Sequence, residues 1–148
     1  METGKIMGIC ISEKRGTQKT NIHKALLIEN FGIENDAHAG DWHRQVSLLS
    51  YEKIQDFNAK GAMVQDGAFG ENLIISGIDL VALPVGAHLV SGGVELEVTQ
   101  IGKECHSHCE IYQRMGECIM PRQGIFTRVI HGGELREGDE IRLLPKEA

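Results

Sequence analysis

The run AHLVSGGVELEVTQI, Ala87 to Ile101, constrains the fold more than any other stretch. Apolar and polar residues alternate on both sides of Ser91-Gly92-Gly93. A period of two puts one face of each run in a core and the other in water. Glycines at the centre supply the positive φ that a tight hairpin turn demands. The spacing therefore predicts a β-hairpin. GIFTRVIHGGELREGDEIRLL has the same character, with Gly132-Gly133 and Gly138-Asp139 as turns. GKIMGICIS, IHKALLIEN, QVSLLS and NLIISGIDL read as further extended runs. YEKIQDFNAK departs from the pattern: Tyr51, Ile54 and Phe57 recur at helical spacing, and Ser50 stands where an N-cap belongs. The chain has 18 glycines against 3 prolines, as a fold with many tight turns requires. The expectation is a mostly β, barrel-like domain with one or two short helices. Closing the sheet removes the exposed strand edges that an open sheet would present.

At 148 residues the chain is read as one domain, 1–148, without repeat, low-complexity segment or linker. The formal net charge of −6 argues against a nucleic-acid surface, which needs a concentrated basic footprint. The longest apolar stretch, LVALPVGAHLV, is broken by Pro84 and Gly86 and is too short for a membrane span. The N-terminal IMGICI has no basic leader and no cleavage signal, so a cytoplasmic location is expected. Between Ser12 and Lys24 the basic residues Lys14, Arg15, Lys19 and Lys24 face one acid, Glu13. Such a patch suits a small anionic ligand; on charge alone it suits a solvated loop as well.

The stretch GKECHSHCEIYQRMGEC, Gly102 to Cys118, holds three of the four cysteines. A zinc site would want short paired spacings, and Cys105, Cys109 and Cys118 with His106 or His108 fit no common zinc pattern. A Cys105–Cys109 disulfide would be transient in a reducing compartment. A reactive thiol is the third reading. Cys105 follows the end of the predicted hairpin, and Lys103, His106 and His108 favour its thiolate. Thiolate is the form that attacks electrophilic sulfur or binds a soft metal. Cys10, inside an apolar strand, reads instead as a buried, inert cysteine. In DAHAGDWH, His38 and His43, with Asp36 and Asp41, are candidate metal ligands, but the histidines are five apart, which suits neither one helix face nor one strand face cleanly. A loop fixed by its own hydrogen bonds explains that stretch, with His38 its functional candidate.

Four stretches, GIENDAHAGDWHRQVSLLS, GAFGENLIISGIDL, IGKEC and GIFTRVIHGGELREGDEIRLL, together resemble the MOSC domain family, named for the C-terminal domain of molybdenum cofactor sulfurases. Their order and spacing match a small stand-alone bacterial-type member. The resemblance implies a barrel-like fold and handling of the molybdenum cofactor, a phosphorylated pterin dithiolene, or of sulfur destined for it. The family's characteristic cysteine falls on Cys105. In the resemblance it either carries a persulfide or binds molybdenum as a thiolate. No role carries over to Cys109 or Cys118.

For the cofactor's phosphate and pterin, the candidate partners are Lys19, His38, Arg44, Asn72 and Arg128. Arginine grips phosphate with two parallel hydrogen bonds, lysine acts as a point charge, and an amide suits a pterin edge. Arg44 has an alternative as an ion-pair partner of Asp36 or Asp41, and Asn72 as a turn-capping amide. The function so implied is a sulfur carrier in molybdoenzyme maturation. A cysteine desulfurase, itself a pyridoxal phosphate enzyme, would be the donor. A molybdoenzyme or cofactor-assembly protein would be the recipient. Alternatives are a cofactor-retaining oxidoreductase that reduces N-hydroxylated compounds, and a non-catalytic cofactor-binding module.

Overall fold

The computed structural model describes residues 3–15, 17–102, 115 and 119–145. Cys105, Cys109 and Cys118, with Lys103, His106 and His108, lie outside the described residues. The first strand, β1 (Thr3–Ile11), is long enough to pair on both sides. It meets β6 (Leu73–Ser76) along one edge and β11 (Glu140–Leu143) along the other. From β6 the sheet continues through β5 (Val46–Ser50), β9 (Ile125–His131), β8 (Val94–Ile101) and β7 (His88–Ser91) to β11, closing a seven-stranded barrel. Neighbours are antiparallel except β5 and β6. Parallel strands need a crossover connection, and here it contains α1 (Tyr51–Ala59).

β7 and β8 keep the alternating pattern, one face in the core and the other partly exposed, whereas β5 and most of β6 are buried on both faces. Leu48, Leu73, Ile75 and Ile125 point into the barrel, where they join Leu96 and Val98 in the main core. Their neighbours Leu49, Ile74 and Phe126 face outward and meet Ile54 of α1, Met120 and Cys10 in a second core. Each such Leu or Ile contributes about 1.5–3 kcal/mol through burial. Helix α1 starts as its sequence predicts: the Ser50 hydroxyl accepts the Lys53 amide, and Ile54 and Phe57 are its buried residues. Between β1 and β6 the backbones approach so closely that a Cβ on Gly4 would lie 1.9 Å from the Ser76 carbonyl oxygen.

The predicted hairpin is β7–β8, in register from His88 opposite Glu97 to Ser91 opposite Val94. Gly92 adopts φ 57° at its turn. The C-terminal run differs from a second hairpin stack. After β9 the chain leaves the barrel, and β10 (Gly133–Arg136) pairs with β3 (Lys24–Ile28), which in turn pairs with β4 (Gly32–Ile33). Gly132 permits this departure, since a Cβ there would sit 2.4 Å from the Leu27 carbonyl oxygen. A two-residue strand, β2 (Thr20–Asn21), extends the end of β1. Among the described residues no helix is long and apolar enough to cross a membrane.

Candidate functional site

Where β1 runs out, the chain turns through Ser12–Gln18 and folds Lys19 inward before β2. Its ammonium is buried and lies 2.6 Å from Asp36 Oδ1. The same nitrogen is 3.2 Å from Ser12 Oγ and 2.9 Å from His38 Nδ1. An ammonium has three protons and no lone pair, so these contacts use its full donor capacity. Asp36 is the hub of the cluster. Oδ1 also accepts the Ser12 amide, and Oδ2 accepts from the His38 amide and the Asn72 side chain. A buried charge pair is tolerated only when its remaining lone pairs and protons are satisfied. That condition is met: among the described residues no buried side-chain nitrogen or oxygen lacks a partner.

Asn72 braces three segments at once. Its amide nitrogen donates to the Cys10 carbonyl at 2.9 Å as well as to Asp36, and its oxygen accepts the Ser47 amide at 2.9 Å. The preceding residue, Glu71, is fully buried. Its carboxylate accepts the Gly67 and Phe69 amides at 2.9 and 3.0 Å, which folds the loop before β6 around it. Burial pushes the Glu71 carboxyl up to about 7, against the pull of those amides. The loop is tied to the cluster by Lys19, whose amide donates to the Gly67 carbonyl. A Cβ on Gly67 would lie 2.0 Å from the Lys19 carbonyl oxygen, so only glycine fits at this contact. Cys10 sits in the second core, and its thiol is raised well above the usual range by burial first and by the Glu71 charge next.

The β1–β2 loop forms an open groove of about 410 Å³ that shares Ser12 with this cluster. Ile11 lines it with Ser12, Lys14, Thr17, Gln18 and Thr20, Glu13 is the acid among them, and more of the lining is apolar than polar. A chain of contacts leads from this loop to the end of β8. The Arg15 guanidinium stacks 5.2 Å over the Trp42 ring, and the Trp42 and His43 rings meet edge to face at 6.0 Å. His43 Nε2 lies 2.9 Å from Gln100 Oε1, and Gln100 Nε2 donates to the Gly102 carbonyl. Arg44 joins at the same place. Its Nε donates to Gln100 Oε1 at 3.1 Å, and its guanidinium covers the Phe126 ring.

The structure thus brings Lys19, His38 and Asn72 into one network and sets Arg44 beside Gly102, three residues before Cys105. Arg128 is elsewhere: it is exposed on β9, paired with Glu97 at 2.9 Å. Neither Asp36 nor Asp41 takes the ion pair weighed for Arg44 among its described contacts; Asp36 goes to Lys19. Asp36 as hub, Ser12, Glu71 and Gln100 were not singled out by sequence as members of the site. Glu71 had a signal in GAFGENL, an acid among turn-forming residues next to an apolar run. Among the described residues no group of three or more His, Cys, Asp or Glu side chains is arranged to hold a metal ion.

Fold and site together define a small closed β-barrel that carries a buried, charged loop cluster joined through Ser12 to an open groove. The chain belongs to the MOSC domain family, whose model matches residues 35–142. That family is associated with binding of the molybdenum cofactor and with sulfurase-like or reductase roles. Solved structures share the architecture. The YuaD protein from Bacillus subtilis is 21% identical with a TM-score of 0.79, covering 97% of this chain and 98% of its own. YiiM from Geobacillus stearothermophilus is 18% identical with a TM-score of 0.71, covering 96% and 75%. YiiM from Escherichia coli is 18% identical with a TM-score of 0.63, covering 100% and 72%. At these identities the likeness speaks for the fold alone. Among curated proteins, none matches the chain.

Proposed function

We propose that this protein handles the molybdenum cofactor in the cytoplasm and carries sulfur to it on Cys105. Family membership supports the cofactor. The observation that supports this reading is the contact chain Arg15–Trp42–His43–Gln100–Gly102, which links the β1–β2 loop to the strand end that precedes Cys105 in sequence. The groove suits the cofactor's organic part. The Thr20 hydroxyl, the Gln18 amide and the Lys14 cation offer donors to a phosphate ester and a pterin edge, while the Ser12 and Thr17 hydroxyls donate to the Lys14 carbonyl and shape the loop. Ser12 joins the groove to the Lys19, Asp36, His38 and Asn72 network, and Arg44 bonds Gln100 at the end of β8. Arg128, paired with Glu97, has no part in this reading. The cofactor supplies a molybdenum centre that takes up sulfur, and a cysteine thiolate is the soft ligand such a centre favours.

Sulfur loading is a thiol exchange. The Cys105 thiolate attacks the terminal sulfur of a persulfide on a cysteine desulfurase, a pyridoxal phosphate enzyme. The donor's S–S bond breaks, its cysteine leaves as a thiolate, and Cys105 keeps the persulfide. A molybdoenzyme or a cofactor-assembly protein then receives the sulfurated cofactor. Incubation with a desulfurase and cysteine should add one sulfur atom to the wild-type protein by intact mass, and none to Cys105→Ser. Equal sulfur uptake by the variant removes Cys105 from the mechanism. Stoichiometric molybdenum and pterin without any persulfide would replace sulfur carriage by the oxidoreductase reading.

A further inference from the structure

His38 has one nitrogen whose chemical role is fixed by its neighbour. Nδ1 lies 2.9 Å from the Lys19 ammonium, which is buried against Asp36 at 2.6 Å. A protonated lysine can only donate. Nδ1 must therefore offer its lone pair, and the ring proton sits on Nε2. We infer that Lys19 is a positioning residue that locks His38 as a neutral imidazole with its ring proton on Nε2, which makes His38 a dedicated hydrogen-bond donor.

Protonating Nδ1 would set two cationic donors against each other at hydrogen-bonding distance. Asp36 does not relieve this contact, because its Oδ1 serves Lys19 and Ser12 and its Oδ2 serves Asn72 and the His38 main chain. Arg15, from the β1–β2 loop, adds a further positive charge nearby, with its Nε donating to the Ala37 carbonyl. The His38 backbone is held as well: the Trp42 indole donates to its carbonyl at 2.8 Å. A 180° ring flip would place Cδ2–H, not a nitrogen, against the ammonium and forfeit the contact, so the hydrogen bond itself selects the observed orientation.

The consequence is a restriction on what His38 can do. An Nε2 that carries the proton neither ligates a metal nor accepts a proton as a general base. Its counterpart must be an acceptor, whether an atom of this chain or a ligand's phosphate, carbonyl or thiolate. This inference stands on the Lys19–His38–Asp36 geometry and does not depend on the proposed function.

The test is nitrogen-15 NMR of histidine-labelled full-length protein, with the His38 signals assigned by their loss in His38→Gln. The expected result is the Nε2–H tautomer, unchanged down to at least one pH unit below the ordinary histidine value of about 6.5. In Lys19→Met the same signals should titrate in the ordinary range. An Nδ1–H tautomer in the wild type, or ordinary titration there, overturns the inference. Should Lys19→Met fail to fold, the wild-type spectrum alone decides.

Discussion

Removing the Lys19 side chain would leave Asp36 sealed in the loop cluster with its charge uncompensated. Lys19→Met should destabilise the fold by about 3–5 kcal/mol, the usual cost of breaking a buried pair from one side. Urea unfolding checks this. Adding Asp36→Asn to that variant should recover part of the loss, because the stranded charge goes with it. At this scale the sequence was half legible. Lys19, His38 and Asn72 could be picked out as polar residues in loop motifs. That they converge on Asp36 could not, because Lys19 reaches it across 17 residues and Asn72 across 36. Long-range pairings of this kind leave no local pattern. Cys105 lies outside the described residues, while Cys10 read correctly as a core residue from its apolar strand.

The loop before β6 folds around the buried Glu71 carboxylate, and stability should follow that group's protonation. Folding raises the Glu71 carboxyl from 4.5 to about 7. A group raised in the folded state favours folding below its unfolded value, and this contribution is lost as pH rises through the folded value. Between about pH 4.5 and 7 the wild type should therefore lose on the order of 3 kcal/mol relative to Glu71→Gln, with no further change above. The difference between the two unfolding curves, measured across that window, isolates Glu71 from other titrating groups; a flat difference would refute it. Among the elements, β7–β8 and α1 were legible because their signals are local: a glycine turn between alternating runs, and a cap before a helical spacing. β10 was not. Its sequence looks like a hairpin arm, and only the close approach of Gly132 to Leu27 sends it to β3 instead.

The barrel as a whole depends on its last strand. β11 bonds to both β1 and β7, so it is the closing stave. Deleting residues 140–148 should expose both edges and part of the main core around Ile141. The shortened chain should aggregate or lose its cooperative unfolding transition, as seen by size-exclusion chromatography and thermal circular dichroism. A soluble, cooperatively folding product would show that closure is dispensable. Barrel-like closure was legible from the number of short apolar runs and the need to hide their edges. The order of strands around the barrel was not, since pairing such as β9 with β5 joins residues about eighty positions apart in sequence.

One small clasp has a wider meaning. The Gly102 amide donates to the Gly124 carbonyl at 2.7 Å, directly beyond the Ile101–Ile125 pair that ends the β8–β9 ladder. Loop-closure entropy rises only slowly with length once the two ends are fixed. The barrel can therefore accept a rewritten 103–114 without having to refold around it. Lineages sharing this frame are thus able to exchange the chemistry carried on that excursion while keeping the vessel that presents it.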